Sequence, residues 1–245
     1  GAGFIGSHLA EALLARGDHV LGIDRRANTW SQAWRTIEAD LTRPYTPAGI
    51  AEQTARAFAP DVIVHLAAWA KVHQLVQEPA KALDNVSMSC WALELARAGQ
   101  AAIVLGSSRE VYGDVLRHVT DESMADFVVA ESPYSASKIA GEAFFSSYAR
   151  CYKLKTLVFR FSNVYGRYDN DLARMERVIP LFVRSIARGE PIQIFGPEKM
   201  LDFSYIDDCG SGLLAGLDAL AAGEANVASQ TINLAFGQGQ TLGDL

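Results

Sequence analysis

Apolar and polar positions follow two rhythms along this chain. Ile5, Leu9, Leu13 and Leu14 recur at helical spacing and predict a helix over Phe4–Ala15, ended by Arg16-Gly17-Asp18. The short apolar run His19–Ile23 then predicts a buried strand closed by Asp24. The same succession recurs. A helix is expected over Ala48–Phe58 and a strand over Asp61–Leu66, then a helix opened by Pro79 and running to about Ala98. Ala101–Leu105 reads as a strand, Ser132-Pro133 starts a further helix, and Lys155–Arg160 is the next strand. Strands alternating with helices predict an α/β protein built on a parallel sheet with crossover helices. Further along the rhythm loosens. Met175–Arg188 looks helical, Pro191–Phe195 extended, Asp207–Ala221 helical and Thr231–Leu234 extended.

Size and charge narrow the picture. The 245 residues, 49% hydrophobic and 20% charged, suit one large α/β domain or one domain with a small lobe. A net charge of -6 argues against nucleic acid or an anionic membrane as partner. No apolar run approaches the roughly 18 residues of a membrane helix. Cys90, Cys151 and Cys209 are scattered and odd in number, which reads as reduced thiols in a cytoplasmic protein. The five histidines lack ligand spacing, so no metal is expected. The chain opens on Gly1-Ala2-Gly3 without a preceding apolar strand and stops at Thr241–Leu245, where a helix is expected to start; it reads as truncated at both ends.

Candidate chemistry centres on Tyr134-Ser-Ala-Ser-Lys138. Four residues apart, phenol and amine share one helical face. A nearby ammonium favours the phenolate, so Tyr134 is expected to titrate far below its usual value of about 10. Gly1-x-Gly3-x-x-Gly6 opens a helix, where glycines let a pyrophosphate approach backbone N–H groups. Asp24, at the next strand's end, can accept both ribose hydroxyls of an adenosine and repel a 2′-phosphate, which favours NAD over NADP. Arg25 and Arg26 pull the other way. Asp40-Leu41 could meet the adenine edge, and Leu66-Ala67-Ala68 would leave room for the cofactor backbone. His65 reads as a satisfied core histidine. Asn85 interrupts a helix and is expected to bridge backbone to a water near Lys138. Ser107, Ser108 and Glu110 follow a strand end, where parallel sheets bind ligands. There Ser108 would donate to the substrate oxygen that Tyr134 serves, and Glu110 offers a second acid or base. Asn163 would face the same mouth. Bland alternatives stay open: an ordinary turn at Gly1–Gly6, a loop-capping acid at Asp24, a solvated Asn85.

Taken in order, GAGFIGSHL, the Asp24 strand end, DVIVHLAA, SSREVYGD, YSASK, RFSNVYG and FSYIDD resemble the extended short-chain dehydrogenase/reductase family, the nucleotide-sugar epimerases and dehydratases. The resemblance implies a doubly wound parallel (Rossmann) sheet. Residues 1–165 would form a dinucleotide-binding domain lacking its first strand. Residues 166–245 would form a partial substrate-binding lobe with returning Rossmann elements. It casts Tyr134 as base, Lys138 as modulator of its pKa and nicotinamide-ribose ligand, and Ser108 as hydrogen-bond partner, with Glu110 as a further catalytic group. NAD would meet Gly1, Gly3, Phe4, Ile5, Gly6, Asp24, Arg25, Asp40, Leu41, Leu66, Ala67, Ala68, Asn85, Ser107, Tyr134, Lys138 and Phe161. A nucleotide sugar would meet Ser108, Asn163, Val178, Gln193, Phe195 and Lys199. The helices near 80–98 and 134–151 would form a homodimer. The activity so implied is sugar 4-epimerisation through a transient 4-keto intermediate. UDP-glucuronate decarboxylation, 4,6-dehydration, a non-catalytic NAD(P)-binding module and an inactive fragment are the alternatives. Three departures stand out. The family's first motif glycine would precede Gly1. Arg109 stands where the 4,6-dehydratases carry Asp. Leu201 stands where Arg often grips a phosphate, with Lys199 a less directional substitute.

Overall fold

A computed structural model describes residues 1–29, 31–113, 122, 130–169, 177–224 and 226–245. Its centre is a four-stranded, all-parallel sheet. The strands are β3 (Val62–His65), β4 (Ala102–Ser108), β5 (Thr156–Phe161) and β8 (Gln230–Leu234), side by side in that order. β4 and β5 are near-continuous apolar runs because both faces of the sheet are covered there, whereas edge strand β8 is half polar. Side chains alternate between the faces. Ile103, Leu105 and Val158 pack against Leu93, Ala96 and Phe145 of α4 (Ala80–Gly99) and α5 (Pro133–Tyr152). Val104, Leu157 and Phe159 pack against Leu9 of α1 (Phe4–Arg16) and Leu213, Leu217 and Leu220 of α7 (Ile206–Ala221). Helix pairs on opposite faces make this the doubly wound α/β architecture expected from the sequence.

Two smaller sheets flank the centre. β1 (Leu21–Asp24) pairs in parallel with β2 (Arg35–Glu38), and α2 (Ile50–Phe58) follows. β6 (Asn163–Tyr165) pairs in parallel with β7 (Met200–Tyr205), which pairs antiparallel with β9 (Gly239–Thr241). Short helix α3 (Val72–Gln77) and amphipathic α6 (Val178–Arg188) complete the element order.

Among the described residues no strand lies between β1 and β3. Each is hydrogen-bonded along one edge only, and both border one cavity of about 690 Å³. What links the two halves is side-chain packing: Ile23, Ile37 and Ile63 meet Leu41, Ala55, Met88 and Trp91.

Several expectations need correction. Pro191–Phe195 is not a strand. Its alternating Ile192 and Ile194 stay 38% and 40% exposed and find no partner edge. No helix starts at Thr241. Instead β9 ends there and a turn follows, in which Asp244 accepts from the Thr241 hydroxyl at 2.5 Å. His19 and Val20 lie outside β1, and positions 175–176 of the expected helix lie outside the described residues. No described helix is long and apolar enough to cross a membrane.

Candidate active site

The loops at the carboxyl ends of the parallel strands converge on the cavity beside β1 and β3. Its floor is the start of α1. Gly3 sits at the helix N-cap position and supplies no capping side chain, and no acidic residue occupies the first turn. The first-turn N–H groups therefore have no side-chain acceptor in competition with a ligand. The turn is tight. A Cβ on Gly1 would fall 2.3 Å from Asp24 Oδ2 and 2.7 Å from the Ile23 carbonyl, and one on Gly6 3.3 Å from the Gly1 carbonyl. Asp24 braces this turn: Oδ2 accepts the Ala2 N–H at 2.8 Å and Oδ1 the Arg26 N–H at 3.2 Å.

Of the expected cofactor residues, the glycines, Phe4, Ile5, Asp24, Arg25, Asp40, Leu41, Leu66, Ala67, Ala68, Ser107, Tyr134, Lys138 and Phe161 all line this cavity. Arg25 does not reach toward Asp24; its guanidinium lies 3.8 Å from the centre of the Trp69 ring. The Asp40 carboxylate accepts from Thr42 N–H and hydroxyl, which hold its pKa below the ordinary range. Asn85 departs from expectation. It is buried, but its amide serves Trp69 and Ser137. Oδ1 accepts the Trp69 N–H at 2.7 Å, and Nδ2 donates to the Trp69 carbonyl and Ser137 Oγ, both at 3.0 Å. It thereby ties the loop after β3 to α5.

The chemistry-bearing groups sit at the start of α5. Ser132 and Ser135 form a reciprocal capping box with Pro133 in the first turn, which fixes where Tyr134 begins the helix. Tyr134 and Lys138 are both 8% exposed. Lys138 Nζ donates to the Gly106 carbonyl at 2.8 Å and lies 5.8 Å from the Tyr134 ring centre. The Ser108 hydroxyl, beside the Tyr134 phenol, pulls the phenol's pKa down. Burial outweighs that effect and pushes it up to about 12, helped by the Glu110 carboxylate and opposed by Arg109 and Arg177. The expectation of an intrinsically acidic phenol is therefore corrected: desolvation dominates, and the ammonium is directed at a carbonyl. Burial also lowers Lys138 to about 8, with Glu142 opposing. Glu110 ion-pairs with Arg109 at 3.0 Å, and its own N–H donates to Ser108 Oγ.

The expected substrate residues fare differently. Ser108 stands beside the Tyr134 phenol but does not itself line the cavity. Asn163 gives Nδ2 to the Asp202 carbonyl at 2.8 Å, so it joins β6 to β7 where a substrate contact was expected. Val178 begins α6, while Gln193, Phe195 and Lys199 are exposed; none of these lines the cavity. Sequence reasoning missed Tyr168, Asp169 and Arg177, which do line it. Arg177 pairs with buried Asp169 and lies 5.0 Å from the Phe4 ring centre. No motif spacing marked them.

His65 is a core histidine, as expected. Its Nε2 lies 3.2 Å from Ser89 Oγ, and burial lowers its pKa to about 3. The unfolded chain therefore binds the extra proton more tightly, and stability is lost as pH falls from about 6.5 toward 3. Urea unfolding should show this loss, up to about 4 kcal/mol, and His65→Gln should remove most of it. An unchanged acid profile in the variant would refute the assignment.

A parallel sheet wound on both faces, with a glycine turn beneath a Tyr-x-x-x-Lys helix, defines a protein of the extended short-chain dehydrogenase/reductase class. The chain belongs to the NAD dependent epimerase/dehydratase family, whose model matches residues 1–235. It is 33% identical over 226 residues to a probable UDP-glucuronate 4-epimerase of Rhizobium meliloti (strain 1021), covering 84% of this chain and 63% of that protein. It is 34% identical over 220 residues to the UDP-glucose 4-epimerase of Mycolicibacterium smegmatis, covering 84% and 68%. The structure of the Thermus thermophilus UDP-glucose 4-epimerase in complex with NAD superposes with TM-score 0.84 at 28% identity, over 99% of this chain and 78% of that one. The chain spans between 53% and 68% of the length of these curated relatives and a further UDP-glucuronate 4-epimerase of Arabidopsis thaliana.

Proposed function

We propose that this chain carries the dinucleotide site and proton-transfer centre of an NAD-dependent nucleotide-sugar 4-epimerase. The observation that carries the reading is that Tyr134 and Lys138 line a cavity floored by the Gly1–Gly6 turn, with Ser108 beside the Tyr134 phenol. The residues present fit NAD: the turn excludes any Cβ at Gly1, and Asp24 offers a carboxylate at the cavity wall. Gly3 and Gly6 would hold the pyrophosphate, Asp24 the adenosine ribose, and Lys138 the nicotinamide ribose. NAD, when bound, supplies the acceptor and donor of hydride at the sugar C4.

The chain's own groups supply the rest. Tyr134 Oη takes the proton of the 4-hydroxyl and returns it after the sugar presents its other face. Ser108 Oγ donates to the same oxygen and holds it during both transfers. Arg109 and Arg177 are the positive charges that favour the ionised phenol, while Lys138 gives its ammonium to the Gly106 carbonyl. Burial makes those charges more effective, because fewer water dipoles screen them. Positioned acid–base catalysis of this kind contributes about 10²–10⁴-fold. Glu110, paired with Arg109, tempers the positive charge that reaches the phenol.

The experiment is product analysis. Full-length protein with NAD, given UDP-glucose or UDP-glucuronate, should invert C4, seen as a changed ring-proton coupling by NMR. Release of CO₂ or loss of water would replace the epimerase with its sister chemistries. Tight NAD binding without turnover of either sugar would favour a binding module.

We also assign a cytoplasmic homodimer built on α4 and α5. Leu83, Phe144 and Tyr152 on these helices are 70%, 39% and 52% exposed, an apolar face suited to a second copy. A monomer in analytical ultracentrifugation at micromolar concentration would exclude it.

A further inference from the structure

One buried polar cluster lies behind the proton-transfer centre, and the mechanism above makes no use of it. Glu142 sits one helical turn after Lys138, on the same face of α5. Its side chain is 15% exposed and that of its partner Arg160, in β5, is 6% exposed. The pair is bidentate: Arg160 Nε donates to Oε1 at 3.1 Å and a terminal nitrogen to Oε2 at 2.7 Å. Oε1 also accepts from the Ser107 hydroxyl at 2.5 Å. Ser107 directly precedes Ser108, and Gly106 before it receives the Lys138 ammonium. Arg160 is fixed in turn. It donates to the Glu122 carbonyl at 3.1 Å and lies 4.8 Å from the centre of the Tyr112 ring, whose hydroxyl donates to Asn233 at 2.8 Å.

A buried pair of this kind is a weak source of net stability, because each charge loses its hydration. Its geometry has another result. One carboxylate joins α5, the end of β4 and β5 next to the residues that must meet.

We propose that Glu142 is a positioning residue: its carboxylate, anchored by Arg160, fixes Ser107 and with it the Gly106 carbonyl on which the Lys138 ammonium rests. This rests on the epimerase reading for its catalytic meaning but not for its electrostatics. The negative charge of Glu142 opposes the desolvation that lowers the Lys138 pKa. The other ionisable groups facing Lys138 are Tyr134 on its own helix and buried, neutral His65 on β3. Arg109 and Glu110 face Tyr134 from the turn after β4, and Arg177 faces it from the start of α6. None of these opposes the desolvation of the lysine as the Glu142 charge does.

The test is Glu142→Gln in the full-length protein, with two readouts. Competitive acylation of Lys138 across pH, read by mass spectrometry, should show its titration midpoint displaced downward by about one pH unit. The alkaline limb of kcat should move down by the same amount. At neutral pH kcat should fall about 10–100-fold with KM for the sugar nearly unchanged, because the loss is in the arrangement of reacting groups. Glu142→Asp, which keeps the charge but withdraws it, should regain part of both. An unmoved Lys138 midpoint, with only a lower Tm, would overturn the proposal and leave a simple brace. Should Glu142→Gln fail to fold, Glu142→Asp decides alone: unchanged midpoint and kcat overturn the proposal, and a partial shift of both supports it. A displaced midpoint in a protein without epimerase turnover would keep the proposal and sink the functional reading.

Discussion

Tyr134→Phe is expected to lower kcat by about 10²–10⁴-fold while leaving NAD affinity within about threefold, since the ring keeps its packing. The substitution removes one oxygen and nothing else. Tyr134 is buried against Leu75 and Ala82, so phenylalanine fills the same space. What disappears is the hydroxyl that stands beside Ser108, and with it the proton carrier itself. With the phenol pushed up to about 12, the wild-type centre depends on neighbouring positive charge to ionise, so the wild-type rate should rise with pH until Lys138 loses its proton near 8. The variant should lose that dependence together with the rate. Single-turnover kinetics and fluorescence titration of NAD on the same preparation separate the two quantities. Retention of more than a tenth of the activity would remove Tyr134 from the mechanism.

Asp24→Ala should weaken NAD binding by about 10–100-fold, the worth of one or two hydrogen bonds to a charged group. Two effects combine. The carboxylate that would accept ribose hydroxyls is lost, and so is the acceptor that holds the Ala2 N–H and shapes the glycine turn. Asp24→Asn distinguishes them, since its amide oxygen can still accept from Ala2. NADP should respond in the opposite sense, relative to NAD. Removing the carboxylate removes its repulsion of a 2′-phosphate, and Arg26, now 3.9 Å from Asp24 through Nε, loses that ion pair. Calorimetric titration of both nucleotides would show it. Equal affinities for NAD in wild type and variant would take Asp24 out of the cofactor site.

The central sheet was legible because its strands are apolar runs of the right length between helical stretches. Ala102–Ser108 and Thr156–Phe161 could hardly be anything else in an alternating chain. β2 was not legible: Arg35-Thr-Ile-Glu38 offers one strongly apolar residue, and it forms a strand only because β1 supplies an edge. The reverse error occurred at Pro191–Phe195, where strand-like alternation met no edge. At the site, Tyr134 and Lys138 could be placed on one face because helical spacing is a property of the sequence. Their ionisation could not, because depth of burial is a property of the fold. Asn85 was rightly expected to be buried, but its partner Trp69 comes from a loop that no periodicity marks. Glu142 and Arg160 carried a signal that went unused: one lies a turn beyond Lys138, and the other interrupts an apolar strand. A charge placed in such a run needs an opposite charge close by.

The cavity between β1 and β3 also bears on what a bound ligand would do. Asp24 reaches it from the end of β1, and Lys138 reaches it from α5, which packs on β4 and β5. A ligand gripping both would act as a clasp between the flanking pair of strands and the central sheet.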